Sequence, residues 1–201
     1  MLTTAYFPPV AYIARIKAHE RVRVEYHEHY GKQSYRNRCE ILSANGPLAL
    51  SVPVVKGAAR GMLTRDARVD YSTRWQRVHF KAIESAYRKS PFYDYYIDAF
   101  YPFFRQEERF LVDLNGKILE RLTRCLGVER PVEPTVAYER EPRGCTDLRD
   151  AFHPKASRRA REAVDVTRPY HQTFAERYPF VPGLSALDLL FNAGPEATAY
   201  L

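Results

Sequence analysis

The chain of 201 residues lacks most of the features that mark the common functional classes. Its three cysteines, Cys39, Cys125 and Cys145, form no CxxC pair. An odd, unpaired set argues against a disulfide framework or a zinc ribbon and fits a reducing compartment. No apolar run approaches the ~18 residues needed to span a bilayer. The opening, MLTTAYFPPVAYIARIKAHE, has no basic n-region and no sustained apolar stretch, so it does not read as a signal peptide. The expected location is the cytoplasm. GxGxxG, the phosphate-binding P-loop, GxSxG and HExxH are all missing. Their absence removes the usual dehydrogenase, kinase, serine hydrolase and zinc protease readings.

What is present is an ordinary globular composition, with 45% hydrophobic and 27% charged residues. A chain of this size buries roughly 70% of its unfolded surface, enough for a core without metal or disulfide staples. Aromatic residues reach 13%, and the net charge is +7. That excess favours anionic partners such as phosphates, nucleotides, nucleic acid or an acidic membrane face. One basic cluster, Lys155, Arg158, Arg159 and Arg161, reads as a solvated face or loop, because no nucleic-acid motif accompanies it.

Hydrophobic spacing predicts a short strand over Leu2–Phe7, a Pro8-Pro9 turn, a helix over Val10–Ala18 and an alternating strand over Arg21–His27, which together make a βαβ opening. Cys39–Leu42 and Leu48–Val54 read as a hairpin, with Asn45-Gly46 supplying positive φ angles. A short strand is expected at Arg68–Tyr71. A helix capped by Ser72 or Thr73 runs to Lys89, with Trp75, His79, Ile83 and Tyr87 on its buried stripe, flanked by Val78, Ala82 and Ala86. Helices over Phe92–Phe104 and Glu108–Leu126 follow, the second ended by Gly127. The stretch from Gly127 to Tyr170 holds five prolines and reads as an extended arm with a lone strand at Thr135–Tyr138. Leu187, Leu190 and Phe191 dock a terminal segment that Gly194-Pro195 splits. The expected fold is α/β, a mixed sheet opened by a βαβ unit and covered by helices, with residues 1–126 as the core domain. Residues 127–201 form an irregular arm and a helical segment packed on that core.

The densest polar chemistry lies in YHEHYGKQSYRNRCEILSAN, Tyr26 to Asn45. Lys32, Asn37 and Arg38 suit a carboxylate or phosphate, since a guanidinium fork grips two oxygens and an amide orients the neutral part of a ligand. The alternative is a solvated loop with incidental charges. His27 and His29 alternate onto one strand face but lack a third ligand, so no metal site is expected. Cys39 is flanked by Arg38, yet its place in an apolar strand reads as a buried structural thiol. His79 reads as a hydrogen-bonded core histidine or, within a pocket walled by Trp75 and Tyr87, as a general base.

Several strings carry a resemblance: TAYFPPVAYIARI, YGKQSYRNRCEI, LALSVPV, RWQRVHFKAIESAYRKSPFYDYY and FLVDLN. In this order and spacing they resemble the WbqC-like protein family. The tail LSALDLLFNAGPEA is similar to the ending of the Bacteroidetes branch. The resemblance covers the first 120 residues and the last 20, with Tyr6, Pro8, Lys32, Asn37, Arg38, Trp75, His79, Tyr87 and Pro91 at family-like positions. Ala5-Tyr6 stands where many members carry Gln-Pro, His27-Glu28 near where many carry an acidic pair, and Cys39 where many carry asparagine. What the resemblance implies is transfer of an acyl or glycine-like aminoacyl group to a sugar or nucleotide-sugar, in biosynthesis of O-antigen-like surface polysaccharide. His79 would then be the base, Lys32 and Arg38 the anion holders, Asn37 the orienter of the acyl carbonyl, and Tyr6 and Tyr87 the pocket walls. No cofactor, membrane insertion or nucleic-acid partner is expected. A non-catalytic binding or assembly protein of the same pathway is the alternative.

Overall fold

A computed structural model describes residues 1–55, 61–152 and 168–201. The basic cluster at Lys155–Arg161 and most of the loop after Val55 lie outside the described residues.

The βαβ opening is present. Strand β1 (Leu2–Thr3) pairs in parallel with β2 (Val22–Glu25) through Leu2–Val24 and Thr3–Glu25, and α1 (Val10–Lys17) makes the crossover. Tyr12, Ile13 and Ile16 are buried on α1, and the Tyr12 hydroxyl donates to the Thr3 carbonyl at 2.9 Å, pinning helix to strand. The other side of β2 pairs with β5 (Val132–Pro134), also in parallel, giving the order β1-β2-β5. The expected strand at Thr135–Tyr138 is thus displaced to Val132–Pro134 and is not alone. Val136, 93% exposed, has already left the sheet.

The hairpin β3 (Arg38–Ser43) and β4 (Gly46–Ser51) forms a separate antiparallel pair. Parallel and antiparallel pairings therefore lie in two sheets. At the turn only Gly46 takes a positive φ, 98°, while Asn45 does not. The Ser43 hydroxyl holds the turn by donating to the Gly46 carbonyl at 2.7 Å. The strand expected at Arg68–Tyr71 is reduced to single bridges, Val54–Val69 and Arg68–Phe110.

Helix α2 (Trp75–Tyr87) buries Trp75, His79, Ile83, Ala86 and Tyr87, as the spacing predicts. Val78 is 61% exposed, because the buried arc turns towards Tyr87 and away from it. Neither Ser72 nor Thr73 caps this helix; Arg74 occupies the cap position without a side-chain bond. Ser72 is instead drawn into a local turn, its N–H donating to Asp70 Oδ1 at 2.8 Å. The expected helix over Phe92–Phe104 is α3 (Tyr93–Phe100), continued by a 3-10 turn (Tyr101–Phe104). Pro102 lacks the N–H that would continue the α ladder. Helix α4 (Leu111–Cys125) buries Leu111, Leu114, Ile118 and Leu122 and stops at Gly127, φ 65°.

Helix α5 (Ala186–Ala193) starts at Ser185, whose hydroxyl accepts the Leu187 N–H. Leu187, Leu190 and Phe191 are fully buried against the body, each worth about 2 kcal/mol over an exposed position. Backbone bonds from Val10 to the Leu184 carbonyl and from Ser185 to the Glu40 carbonyl stitch this tail to the opening turn and the hairpin. Gly194 is obligatory: its φ is 53°, and a Cβ there would lie 2.5 Å from the Phe92 ring. No helix among the described residues is long and apolar enough to cross a membrane.

Candidate functional site

The carboxyl ends of parallel strands are where open α/β sheets hold ligands. Here the chain leaves β1 through Thr4–Pro9 and β2 through Tyr26–Arg38, so the polar stretch stands at that edge. Much of its charge is already used. Glu28 accepts from Thr3 Oγ1 at 2.5 Å and forms a two-point ion pair with Arg36, at 2.9 Å to Nε and 2.6 Å to Nη2. Glu25, fully buried, accepts from Thr135 Oγ1 at 2.8 Å and the His27 N–H at 2.7 Å, and faces Arg149 at 3.5 Å. Arg149 is held in turn by Asp147 at 2.7 Å, which lowers the Asp147 pKa. This network closes the sheet edge. His27 belongs to it through Thr135, 3.2 Å from its Nδ1. His29 is exposed, and no group of three metal-binding side chains occurs among the described residues.

A second polar cluster sits between the opening turn, the hairpin and α2. The Tyr6 hydroxyl lies 2.9 Å from His79 Nδ1. His79 is 4% exposed, and burial lowers its pKa to about 4, opposed by a hydrogen bond to the Ser51 backbone. A bond that raises an imidazole pKa is one in which the ring donates, so Nδ1 is left to accept the Tyr6 proton. Burial pushes the Tyr6 phenol well above its ordinary value, so it stays protonated. Trp75 packs edge-on to both rings, with centroids 6.3 Å from Tyr6 and 5.1 Å from His79. Ser51 pairs with Arg38 across the hairpin, and Asn37 clasps the next residue: its Nδ2 donates to the Val52 carbonyl and its own carbonyl accepts the Val52 N–H. Arg38 also reaches Glu40 at 3.1 Å.

Three buried polar atoms of these residues have no hydrogen-bond partner among the described residues: Trp75 Nε1, Arg38 Nε and Asn37 Oδ1. Leaving a buried polar group unsatisfied costs about 1–3 kcal/mol, so two orphan donors and an acceptor among neighbouring residues are a costly arrangement for a purely structural core. The turn feeding the cluster is strained as well. Phe7, next to Tyr6, takes a φ of 39°, unfavourable for a bulky residue, and is held by rings at 4.8 Å (Tyr6) and 5.9 Å (Phe104).

The structure thus brings together Tyr6, His79, Asn37 and Arg38, through Ser51 and Val52. Lys32 stands apart on the exposed loop before Ser34, with no ion pair among the described residues. Tyr87 lies at the other end of the hairpin. Its hydroxyl accepts the Leu42 N–H at 3.2 Å beside Asp188, which takes Tyr170 at 2.7 Å and Gln172 at 3.1 Å on Oδ2. Asp188 Oδ1 takes no hydrogen bond of normal geometry, although the Tyr87 hydroxyl still pulls the carboxyl pKa down against the dominant upward push of burial. Tyr87 therefore ties α2 and the hairpin to α5. Cys39 is buried, with its thiol pKa raised by burial, as a structural thiol should be. Spacing alone did not reveal the Glu25–Arg149 pair, since nothing local marks a partner 124 residues away.

Fold and site together define a mixed α/β protein with a polar cluster beside the carboxyl edge of a short parallel sheet. The chain belongs to the WbqC-like protein family, whose model matches residues 4–150. It is 27% identical over 221 residues to the uncharacterized protein Rv1507c of Mycobacterium tuberculosis (strain ATCC 25618 / H37Rv), covering 98% of this chain and 91% of that protein. No solved structure matches.

Proposed function

We propose that the protein is a cytoplasmic transferase that moves an acyl or glycine-like aminoacyl group onto a sugar or nucleotide-sugar in O-antigen-like surface polysaccharide biosynthesis. The observation that carries this reading is the set of orphan groups, Trp75 Nε1, Arg38 Nε and Asn37 Oδ1, beside the Tyr6–His79 pair. Two N–H donors suit the oxygens of a carboxylate, phosphate or acyl carbonyl, and the amide oxygen suits an N–H or hydroxyl of the same ligand. Lys32, exposed at the loop, adds charge for an anionic substrate entering from solvent. His79 is neutral at physiological pH and takes the acceptor's proton through the Tyr6 hydroxyl, which lies 2.9 Å from its Nδ1. Residues 1–126 carry this site, and the arm from 127 onwards supports it.

Burial of His79 favours one alternative, a binding protein of the same pathway that holds the ligand without moving a proton. A complementation assay separates the two. A strain lacking the gene is supplied with wild type, His79→Gln or Trp75→Phe, and its surface glycan is analysed by mass spectrometry. The transferase reading expects both variants to lose the acyl or aminoacyl substituent. A substituent that survives His79→Gln but not Trp75→Phe supports the binding protein, and survival in both contradicts either reading.

A further inference from the structure

A cleft of about 780 Å³ lies between the C-terminal half of α2, α5, the hairpin turn at Ala44 and the segment 171–177. Its walls are tied to one another. Ser90 and Asn192, each 8% exposed, form the floor. The Ser90 hydroxyl donates to the Tyr87 carbonyl at 2.6 Å. Asn192 donates to the Asp188 carbonyl at 2.8 Å, and its Oδ1 accepts from Thr173 Oγ1 at 3.0 Å. The Tyr178 hydroxyl donates to the Ala44 carbonyl at 3.1 Å, fixing the segment against the hairpin turn. The cleft is therefore preformed, as small-molecule sites usually are. Its lining carries four cations, Lys81, Arg88, Lys89 and Arg177, against two carboxylates, Glu84 and Glu176. Lys81 and Glu84 offset each other: they lie 2.6 Å apart, and that bond holds the Glu84 carboxyl below its ordinary value. The Arg88 and Lys89 side chains form no ion pair or hydrogen bond among the described residues. Arg177 makes only a long bond, 3.5 Å, to the Ala44 carbonyl. The end of a helix favours cations, which accounts for Arg88 and Lys89. It does not account for Arg177, which a separate segment brings to the same cleft. Three cations thus share the space with one remaining carboxylate, Glu176. Phe174 and Pro91 add apolar surface.

We infer that this cleft is a second ligand site, for a small molecule bearing a diphosphate group that Arg88, Lys89 and Arg177 hold, with Phe174 and Pro91 against its uncharged part. Guanidinium forks grip two phosphate oxygens at once, and a lysine adds a point charge. The volume lies within the range of small-molecule sites, with room for a nucleoside diphosphate. A nucleoside diphosphate and free pyrophosphate share this chemistry. The site is separate from the Tyr6–His79 cluster. His79 is buried towards the hairpin, whereas the cleft is lined by residues of α2 that follow it and by Arg88 and Lys89 beyond its end. The inference therefore stands without the transferase reading.

The test is amide NMR of the full chain titrated separately with UDP and with inorganic pyrophosphate, each to about 5 mM at ~0.1 M salt. Binding is expected to shift the signals of Ser85, Ser90 and Phe174. Saturation at lower concentration with UDP identifies a nucleotide site, and saturation at equal or lower concentration with pyrophosphate a site for the diphosphate itself. Arg88→Ala and Arg177→Ala, exposed changes on different segments, are each expected to weaken the bound probe about tenfold. Arg77→Ala removes the same charge from α2 outside the lining, and is expected to leave affinity within about twofold. No saturable shift with either probe overturns the inference. So do equal losses in Arg77→Ala and Arg88→Ala, which would mark unspecific attraction to a basic face. The Trp75 indole signal reports the other cluster, so failure here is distinguishable from failure there.

Discussion

Two buried polar clusters lie a few residues apart and differ in one respect. Around Glu25 and Glu28 every charge has its counter-charge: Glu28 with Arg36, and Glu25 with Arg149, which Asp147 also holds. Around Tyr6 and His79, three polar atoms have no hydrogen-bond partner among the described residues. The first cluster closes the sheet edge and needs nothing further. The second keeps unsatisfied atoms, and the proposed ligand site rests on them. Within one charge-dense stretch of sequence, then, Glu28 and Arg36 are paired while Asn37 and Arg38 keep unpartnered atoms.

The largest effect that would break this contrast is in the paired cluster. Glu28→Ala leaves Arg36 buried without its counter-ion, and stability should fall by about 3–5 kcal/mol in chemical denaturation. A loss under about 1 kcal/mol would mean that the pair is not structural. Next is His79. Its folded pKa of about 4 lies below the ordinary 6.5, so the folded state resists protonation. The stability this contributes is present above pH 6.5 and is lost as pH falls towards 4, by about 3 kcal/mol in total. His79→Gln should flatten that slope relative to wild type in denaturation curves between those pH values. An unchanged slope would place the imidazole in water.

Trp75→Phe sharpens the comparison from the other side. It deletes an orphan N–H and leaves only a partly filled space beside Tyr6, Tyr71 and His79, so the unliganded protein should lose about 1–2 kcal/mol while the surface substituent is lost. A large loss of stability would mean that the indole N–H is satisfied within the protein. The smallest effect concerns Asp188, whose pKa burial raises. Its folded state favours the proton, so stability is highest below the ordinary carboxyl pKa and declines as pH rises through the raised one. Asp188→Asn should gain on wild type as pH rises, in thermal melts at acid and neutral pH.

Local periodicity made much of this legible. The βαβ opening, the stripe of α2, the Gly127 stop and the docking of Leu187, Leu190 and Phe191 follow from spacing and from single glycines. Ends and partners did not. Pro102 shortened a helix, Asp70 drew Ser72 away from a cap, and β5 began three residues early because its register is set by β2. In the site, Asn37, Arg38 and His79 were visible as residue types, and the strands around Ser51 bring them together. Lys32 and Tyr87 lie elsewhere, because a loop and a helix end diverge in ways that spacing does not encode.

The single tryptophan gives the most direct test of the central claim. Its indole N–H yields one resolved NMR signal, which can be followed while glycine and UDP-glucose are added in turn. The account predicts that at least one of them moves that signal downfield, as the orphan donor gains an acceptor, and that Asn37→Ala reduces the shift. An indole signal that stays in place with both, with identical behaviour in Asn37→Ala, would contradict a ligand site at Trp75, Arg38 and Asn37.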